Sequence, residues 1–495
     1  DRLDLTLVAG LRYEWFDSSD RPVYNQNFFA ASGIRNDANI DGVDLLMPRF
    51  GFTWGARDDL TIRGGVGLYS GGNPNVWISN AWSNDGLTNA QFERRDSGGP
   101  AQFDDETGTN TFTILPGMAD SVTLSGAGRP GYDIPQLLVD DVLGVSPAAA
   151  NDSALVLIDP DYKQPSEWKF ALGGTWEMPW YDVTMDFDVL HSRGNDPAYY
   201  VDTAEGIIGT TLAGTPIYGY LDGGVVDNYM LTNSSASPVA TTISFVLRKQ
   251  FDFGLDVLFG YAWTEAEDVA PMTSATAGSN FDNTALLDVN NPPAGNSNWV
   301  VPNRFTLRMD YEAQWFGNNS THITLSGYAN EGQPQSYAMQ GTSLEGDGFF
   351  GRHLLYIPTG PNDPNVVYGP GFDQAAFSDW IARNGLSGGF TERNGFNAGW
   401  STRFDLRISQ EIPLGDALSG RVYLKVYNLG NLLNDDWGKI TDAEFFTPVI
   451  VDRATASDGG PFVYNRFADN AIETTIVESS LWEARIGFDV GFGRK

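Results

Sequence analysis

The feature that most constrains this chain is the strict alternation of short and long connections between segments of period two. About twelve stretches of roughly ten residues alternate apolar and polar side chains. They lie near 3–16, 46–56, 59–69, 166–178, 181–193, 239–250, 254–264, 303–315, 320–330, 400–412, 420–428 and 480–492. In "RFTLRMDYEAQW", Phe305, Leu307, Met309, Tyr311 and Ala313 share one side, and Arg304, Thr306, Arg308, Asp310 and Glu312 the other. In "RFDLRISQEI", Phe404, Leu406 and Ile408 oppose Arg403, Asp405 and Arg407. At the end of the chain, Trp482, Ala484, Ile486, Phe488, Val490 and Phe492 alternate with Glu483, Arg485, Gly487, Asp489 and Gly491. Period two means a β-strand with two unlike faces.

The connections decide what the apolar face meets. "ARDD", "MPWYD", "KQFDFG", "FGNNST" and "EIPLGDALSG" are short, and they alternate with long segments at 17–45, 70–165, 194–238, 265–302, 331–399 and 429–479. A soluble sandwich has no reason to gather every long connection at one end. A transmembrane antiparallel β-barrel does, with short periplasmic turns and long extracellular loops. No stretch approaches the roughly 18 consecutive apolar residues of a membrane helix. The expected fold is therefore all-β, a wall of about twelve strands in the outer membrane of a Gram-negative cell, its apolar face on lipid and lipopolysaccharide. Strand ends near Asp58, Tyr181, Phe253, Gly317 and Asp416 should face the periplasm, and those near Ser70, Arg193, Thr264, Glu331 and Leu429 the outside. The long loops, rich in Gly, Asn, Asp, Pro and Ser, read as irregular surface segments. Trp180, Tyr181, Trp315 and Phe316 at short turns, and Trp15 and Trp263 toward long loops, suggest two aromatic belts.

The formal net charge is −33. Parity assigns about eleven acids and about ten bases to the polar, inward faces, which leaves the wall nearly neutral. Asp4, Glu14, Asp186, Asp188, Asp310, Asp405, Glu483 and Asp489 face Arg12, Arg63, Lys169, Arg248, Arg304, Arg308, Arg403, Arg407, Lys425 and Arg485. The acid excess lies in loops such as "FDDETG", "YLDGGVVDN" and "LLNDDW". An acidic exterior excludes nucleic acid as a partner. It is suited to divalent cations, Ca2+ among them, or to plain solvation, and no stretch has the EF-hand spacing. The chain has no Cys, hence no disulfides and no thiolate chemistry.

Nothing in the sequence calls for an enzyme or a resident cofactor. The three His are His191, His322 and His353, none in an HExxH arrangement, and G-x-S-x-G does not occur. His322 and Ser326 suggest a hydrolytic pair, but parity turns both inward, away from Ile323 and Leu325. In the loop after the third strand, Asn73, Asn75, Trp77, Trp82 and Asp85 are candidate solute contacts.

Four stretches carry a family resemblance: "MPRFGFTWGARDDLTIRGGVGLYSGGNPNVWISNAWSNDG", "NRFTLRMDY", "GWSTRFDLRISQEIP" and "VYLKVYNLGNLLNDDWG". In order and spacing they are similar to the C-terminal barrel of Oar-like TonB-dependent receptors, from about residue 1 to the end. "YNLGNLLND" resembles the Asn-Leu-x-Asn signature that follows the next-to-last strand of these receptors. The resemblance implies a barrel of about twenty-two strands, filled by an N-terminal plug. It also implies uptake of a bulky or scarce solute driven by TonB–ExbB–ExbD. Neither plug, TonB box nor N-terminal β-domain is legible here. Asp1 opens directly on a strand pattern with no leader, so the chain is expected to be a mature protein or the later part of a longer one. Two other readings stay open: a surface receptor or scaffold that docks proteins through its loops, and a complete twelve-stranded passive pore. In the pore the first and last strands pair with each other. In the larger barrel both pair with strands outside this sequence.

Overall fold

The computed structural model describes residues 4–71, 75–88, 155–221, 227–340, 351–414, 418–443, 449–452, 459–468 and 473–492, with the backbone of three short strands between 103 and 123. Twelve long strands form one sheet in chain order. They are β1 (Asp4–Trp15), β2 (Asp44–Arg57), β3 (Leu60–Ser70), β4 (Ser166–Met178), β5 (Val183–Asn195), β6 (Val239–Phe251), β7 (Leu255–Asp268), β8 (Asn303–Phe316), β9 (Asn319–Asn330), β10 (Ser401–Pro413), β11 (Leu418–Tyr427) and β12 (Glu483–Phe492). Every period-two segment of the sequence becomes one of them. The last begins at Glu483 and not near 480, and the Trp482 amide before it donates to the Asn431 side chain at 3.3 Å instead of joining the ladder.

Antiparallel register carries side-chain parity intact around the wall. One row runs Leu7, Phe52, Gly64, Leu172, Val189, Ile243, Trp263 across seven strands. Another runs Met309, Leu325, Leu406, Val426, Ala484 across five. A one-residue slip at any pair would send charges onto the apolar face, so alternation fixes the register. Short turns close the strands at one end. Tyr181 (φ 69°) and Asp182 (φ 47°) take left-handed conformations between β4 and β5, and Gly254 (φ 92°) does so between β6 and β7, as tight hairpins require. Rings gather at this end, with Trp176–Trp180 at 5.4 Å, Phe251–Phe253 at 5.3 Å and Tyr311–Trp315 at 6.0 Å. They gather again at the other, with Tyr13–Trp15 at 5.6 Å and Tyr261–Phe305 at 4.8 Å. β1 and β12 are the two ends of the sheet, and among the described residues they do not pair with each other.

The long connections differ from the irregular loops expected of them. They fold into a cap with two apolar cores. Ile40, Ile78, Ile158, Tyr229, Leu231 and Phe281, from the connections after β1, β3, β5 and β7, form the first. Met339, Ile357, Phe377, Trp380, Ile450 and Tyr464, from those after β9 and β11, form the second. Leu155–Ile158 runs parallel to Asn228–Asn233, which pairs antiparallel with Ala198–Asp202. Val366–Tyr368 runs parallel to Phe462–Tyr464. Helix Gln374–Arg383 starts where the Asp373 carboxylate accepts from the Ala376 amide at 2.9 Å. It buries Phe377 and Trp380, one turn apart on a single face. The physical reason for the correction is burial: apolar runs such as "LVLI" cannot stay in water when a neighbouring connection offers a matching face.

Candidate functional site

The polar face of the wall and the cap above its mouth are the two surfaces on which chemistry is displayed. On the wall, the register sets several of the charges assigned to the polar face beside one another. Arg63 reaches Asp188 across two strands at 2.9 Å. Arg248 pairs with Asp186, which also accepts from Thr175 at 2.6 Å. Arg308 and Asp310 pair at 2.5 Å along β8, and Thr324 donates to Asp310 at 2.7 Å. Arg403 and Asp405 are 3.1 Å apart, Arg407 and Asp489 3.6 Å, and Arg485 pairs with Glu483. Arg304 has an aromatic neighbour instead, 5.9 Å from the Tyr328 ring centre. These side chains are largely half-exposed, so each pair contributes on the order of 0–1 kcal/mol. Their effect is on specificity: a wall with many alternating charges and few net ones accepts a polar filling with complementary groups. His322 sits on this same face opposite Glu312, 3.9 Å from its carboxylate, and Ser326 lies opposite Arg308. Neither faces the apolar side.

The signature "YNLGNLLND" is a knot at the outer end of β11. Asn428 is fully buried and left-handed, with φ 51° and ψ 57°, a conformation Asn tolerates better than most residues. Its amide donates to Asp405 at 2.9 Å. Its side chain donates to the carbonyls of Gly438 at 2.8 Å and Ser480 at 2.7 Å. Asn431 donates to the Asp435 and Trp437 carbonyls, both at 3.2 Å. The motif thus ties β10, the end of β11 and the entry to β12 together.

The structure places four of the five loop candidates, Asn75 exposed, Trp77 and Trp82 half-buried and Asp85 buried. Asn73 lies outside the described residues. Asn75 opens the helix Asn75–Ser83. Trp77 donates from its indole to the Ser274 carbonyl at 2.9 Å, its own carbonyl accepts from Tyr200, and Trp77 and Trp82 both pack on the first cap core. Asp85 is buried, and its carboxylate accepts from the Leu87 and Thr88 amides, each at 2.7 Å. Trp77, Trp82 and Asp85 thus take part in holding the cap together. Of the acidic loops, residues 105–108 of "FDDETG" and the middle of "YLDGGVVDN" lie outside the described residues. Among the described residues no three metal-ligating side chains converge.

Sequence reading missed the polar groups inside the cap. Arg393 pairs with Asp268 and donates to the Val269 carbonyl at 2.9 Å. Arg352 donates to the Phe281 carbonyl at 2.7 Å and lies 4.4 Å from that ring's centre. Buried His353, between Phe390 and Phe462, donates from Nδ1 to the Leu354 carbonyl at 3.0 Å, and burial pushes its pKa down to about 4. No periodicity marks such residues. Tyr423 and Tyr427, which flank the wall's bases, lie on the polar face with Lys425.

The family description "Outer membrane beta barrel domain" matches residues 3–435, from the start of β1 to just past the Asn428 knot. No curated protein matches. Among solved structures the chain is similar to the outer membrane transporter YddB from Escherichia coli, at 11% identity and a TM-score of 0.41, over 92% of this chain and 42% of that one. It is similar to the FrpB iron transporter from Neisseria meningitidis (F3-3 variant), at 12% and 0.37, over 87% and 39%. It is also similar to the copper transporter OprC, at 9% and 0.35, over 98% and 46%. The chain spans less than half the length of each of these structures. The matched family is one of outer-membrane β-barrel domains. The chain belongs to the outer membrane beta barrel domain family, and its twelve-stranded sheet crosses the outer membrane many times.

Proposed function

We propose that this chain is the later part of the wall, with the extracellular cap, of an Oar-like TonB-dependent receptor. It captures a bulky or scarce solute at the cap and admits it using energy delivered through TonB–ExbB–ExbD. The observation that carries this reading is the unpaired state of β1 and β12 with respect to each other. Backbone groups facing lipid must be paired, so the reading gives each edge a further strand from the N-terminal half of the same protein, which also supplies the plug. A complete twelve-stranded pore needs a β1–β12 ladder instead. The balanced charges of the polar face support a lumen filled by protein, and the resemblance of "YNLGNLLND" and the stretches around it supports the receptor type. No resident cofactor is part of the proposal.

The test is electrical and biochemical. The full-length protein in a planar bilayer should show no large steady conductance, and it should co-purify with the periplasmic domain of TonB. A large steady conductance, or failure to bind that domain, contradicts the reading.

One observation favours a second reading, a surface receptor that docks another protein. The hairpin of Glu205–Thr210 and Pro216–Tyr220 exposes Ile207, Ile208, Leu212 and Leu221 together. Apolar clusters of that kind mark protein contacts. If I207D/I208D abolished binding of a surface protein and left solute uptake intact, docking would be a separate activity of the cap.

A further inference from the structure

Three bases stand side by side on the polar face of the last strands. Arg407 of β10 is directly opposite Lys425 of β11, and Lys425 is directly opposite Arg485 of β12. Like charges facing each other across strands destabilise a sheet, and here two such pairs share one residue. The neighbouring acids relieve the flanks only: Arg407 has Asp489 at 3.6 Å, and Arg485 has Glu483. Lys425, in the middle, makes no ion pair among the described residues, and its ammonium lies 4.1 Å from the Tyr427 ring centre.

The surroundings form a seat. The Arg485 guanidinium is 5.0 Å from the same Tyr427 ring, and Arg407 is 4.8 Å from the ring of Tyr423. Tyr423 lies over Gly487 on β12, where a Cβ would come within 2.3 Å of the ring. The glycine therefore lets the ring lie flat and keeps a shallow floor open between the bases. The row is two residues below the outer ends of β11 and β12, just inside the mouth.

We propose that the Arg407–Lys425–Arg485 row seats a carboxylate-bearing polypeptide segment inside the lumen. The inference rests on the reading of the polar face as the lining of a filled barrel, and it names the chemistry of what fills it at this point. A segment already inside is favoured over an anionic solute from outside, because the chain carries a net charge of −33 and its acid excess lies in the connections that form the cap. A carboxylate between the bases cancels the repulsion and completes the partners of Lys425.

Zero-length carbodiimide coupling of the full-length protein, followed by mass spectrometry, tests this directly. The expected product is an amide between Lys425 and an Asp or Glu outside the twelve strands, lost in K425R. Coupling only to Glu483 or Asp489, or no coupling, overturns the proposal. So does a cross-link that millimolar sulfate abolishes, because the row then serves a soluble anion. The sign of the thermal shift is a second readout. With the seat occupied, K425Q lowers Tm by about 1–2 °C. If the row only repels itself, K425Q raises Tm. The conductance measurement decides separately whether the lumen is filled.

Discussion

The wall and the cap put the same kinds of residue to opposite use. On the wall Leu11 is 71% exposed and Ile486 82%, both on the apolar face. In the cap Leu157 and Tyr464 are fully buried. In the wall, lipid takes the place of a core, so apolar side chains point away from the protein and the inward face carries the ions. In the cap, water is the solvent and apolar groups turn inward. One chain is thus written for two solvents, and the boundary falls at the outer strand ends. The difference teaches that exposure of an apolar residue in this molecule says which solvent it was selected for.

This contrast can be broken by substitution. Phe377→Ala in the second cap core should cost about 3–5 kcal/mol of local stability. Protease should then cut the cap of folded protein in membranes while the strands stay protected. Equal loss of protection in wall and cap would show that the two are one cooperative unit.

Met309→Arg, on the apolar face midway along β8, should cost about 2–4 kcal/mol. The loss should appear as reduced assembly in the outer membrane, with the cap's protease pattern unchanged. The same change at the neighbouring polar-face position Thr306 should be tolerated. Equal effects at both positions would deny that the two faces meet different media.

The two halves of the cap should respond to acid with opposite signs. Burial holds His353 neutral, with its pKa lowered to about 4 from an ordinary 6.5. Its contribution is intact above pH 6.5 and is lost as pH falls through about 4, because the unfolded state takes up the proton first. Asp202 is the reverse case. Burial, and Asp227 beside it, raise its pKa to about 7 from 3.8. Its contribution is full below pH 3.8 and is lost as pH rises through about 7. Hydrogen exchange corrected for intrinsic rate, followed from pH 7 to pH 4, should show loosening around Leu354–Ile357 and tightening around Ala198–Asp202. H353Q should remove the first change and leave the second.

The Asn428 knot belongs to neither solvent, and its loss should be intermediate. Asn428→Ala strands the Gly438 and Ser480 carbonyls, at about 1–3 kcal/mol. Faster exchange should be confined to the start of β12 and the end of β11. Smallest of all, Arg308→Met should change stability by no more than about 1 kcal/mol, since its pair with Asp310 is half in solvent.

The wall was legible because its code is local and repeated. Ten or more residues of period two, closed by turns such as "ARDD" and "FGNNST", place each strand, and parity alone placed Arg308, Asp405 and Asp489 on one face. The register of Arg407, Lys425 and Arg485 was not legible, because it depends on how far each hairpin slides. The cap was not legible either. Its strands are often two to four residues long, too short to show a period, and their partners are distant, as Val366–Tyr368 is from Phe462–Tyr464. Asp85 shows the cost of reading a loop residue by type. An acid beside Asn and Trp suggested a ligand contact, whereas the amides of Leu87 and Thr88 claim it.

The central claim is that the odd and even positions of one strand lie in different media. Single cysteines along β8 test it most directly, since this chain has no Cys of its own. Each would be labelled with a fluorophore in outer-membrane vesicles and exposed in turn to a lipid-borne quencher and an aqueous one. The account predicts lipid quenching at Phe305, Leu307, Met309 and Tyr311 and not at Arg304, Thr306, Arg308 and Asp310. Quenching without alternation along the strand, or with the opposite phase, would contradict it.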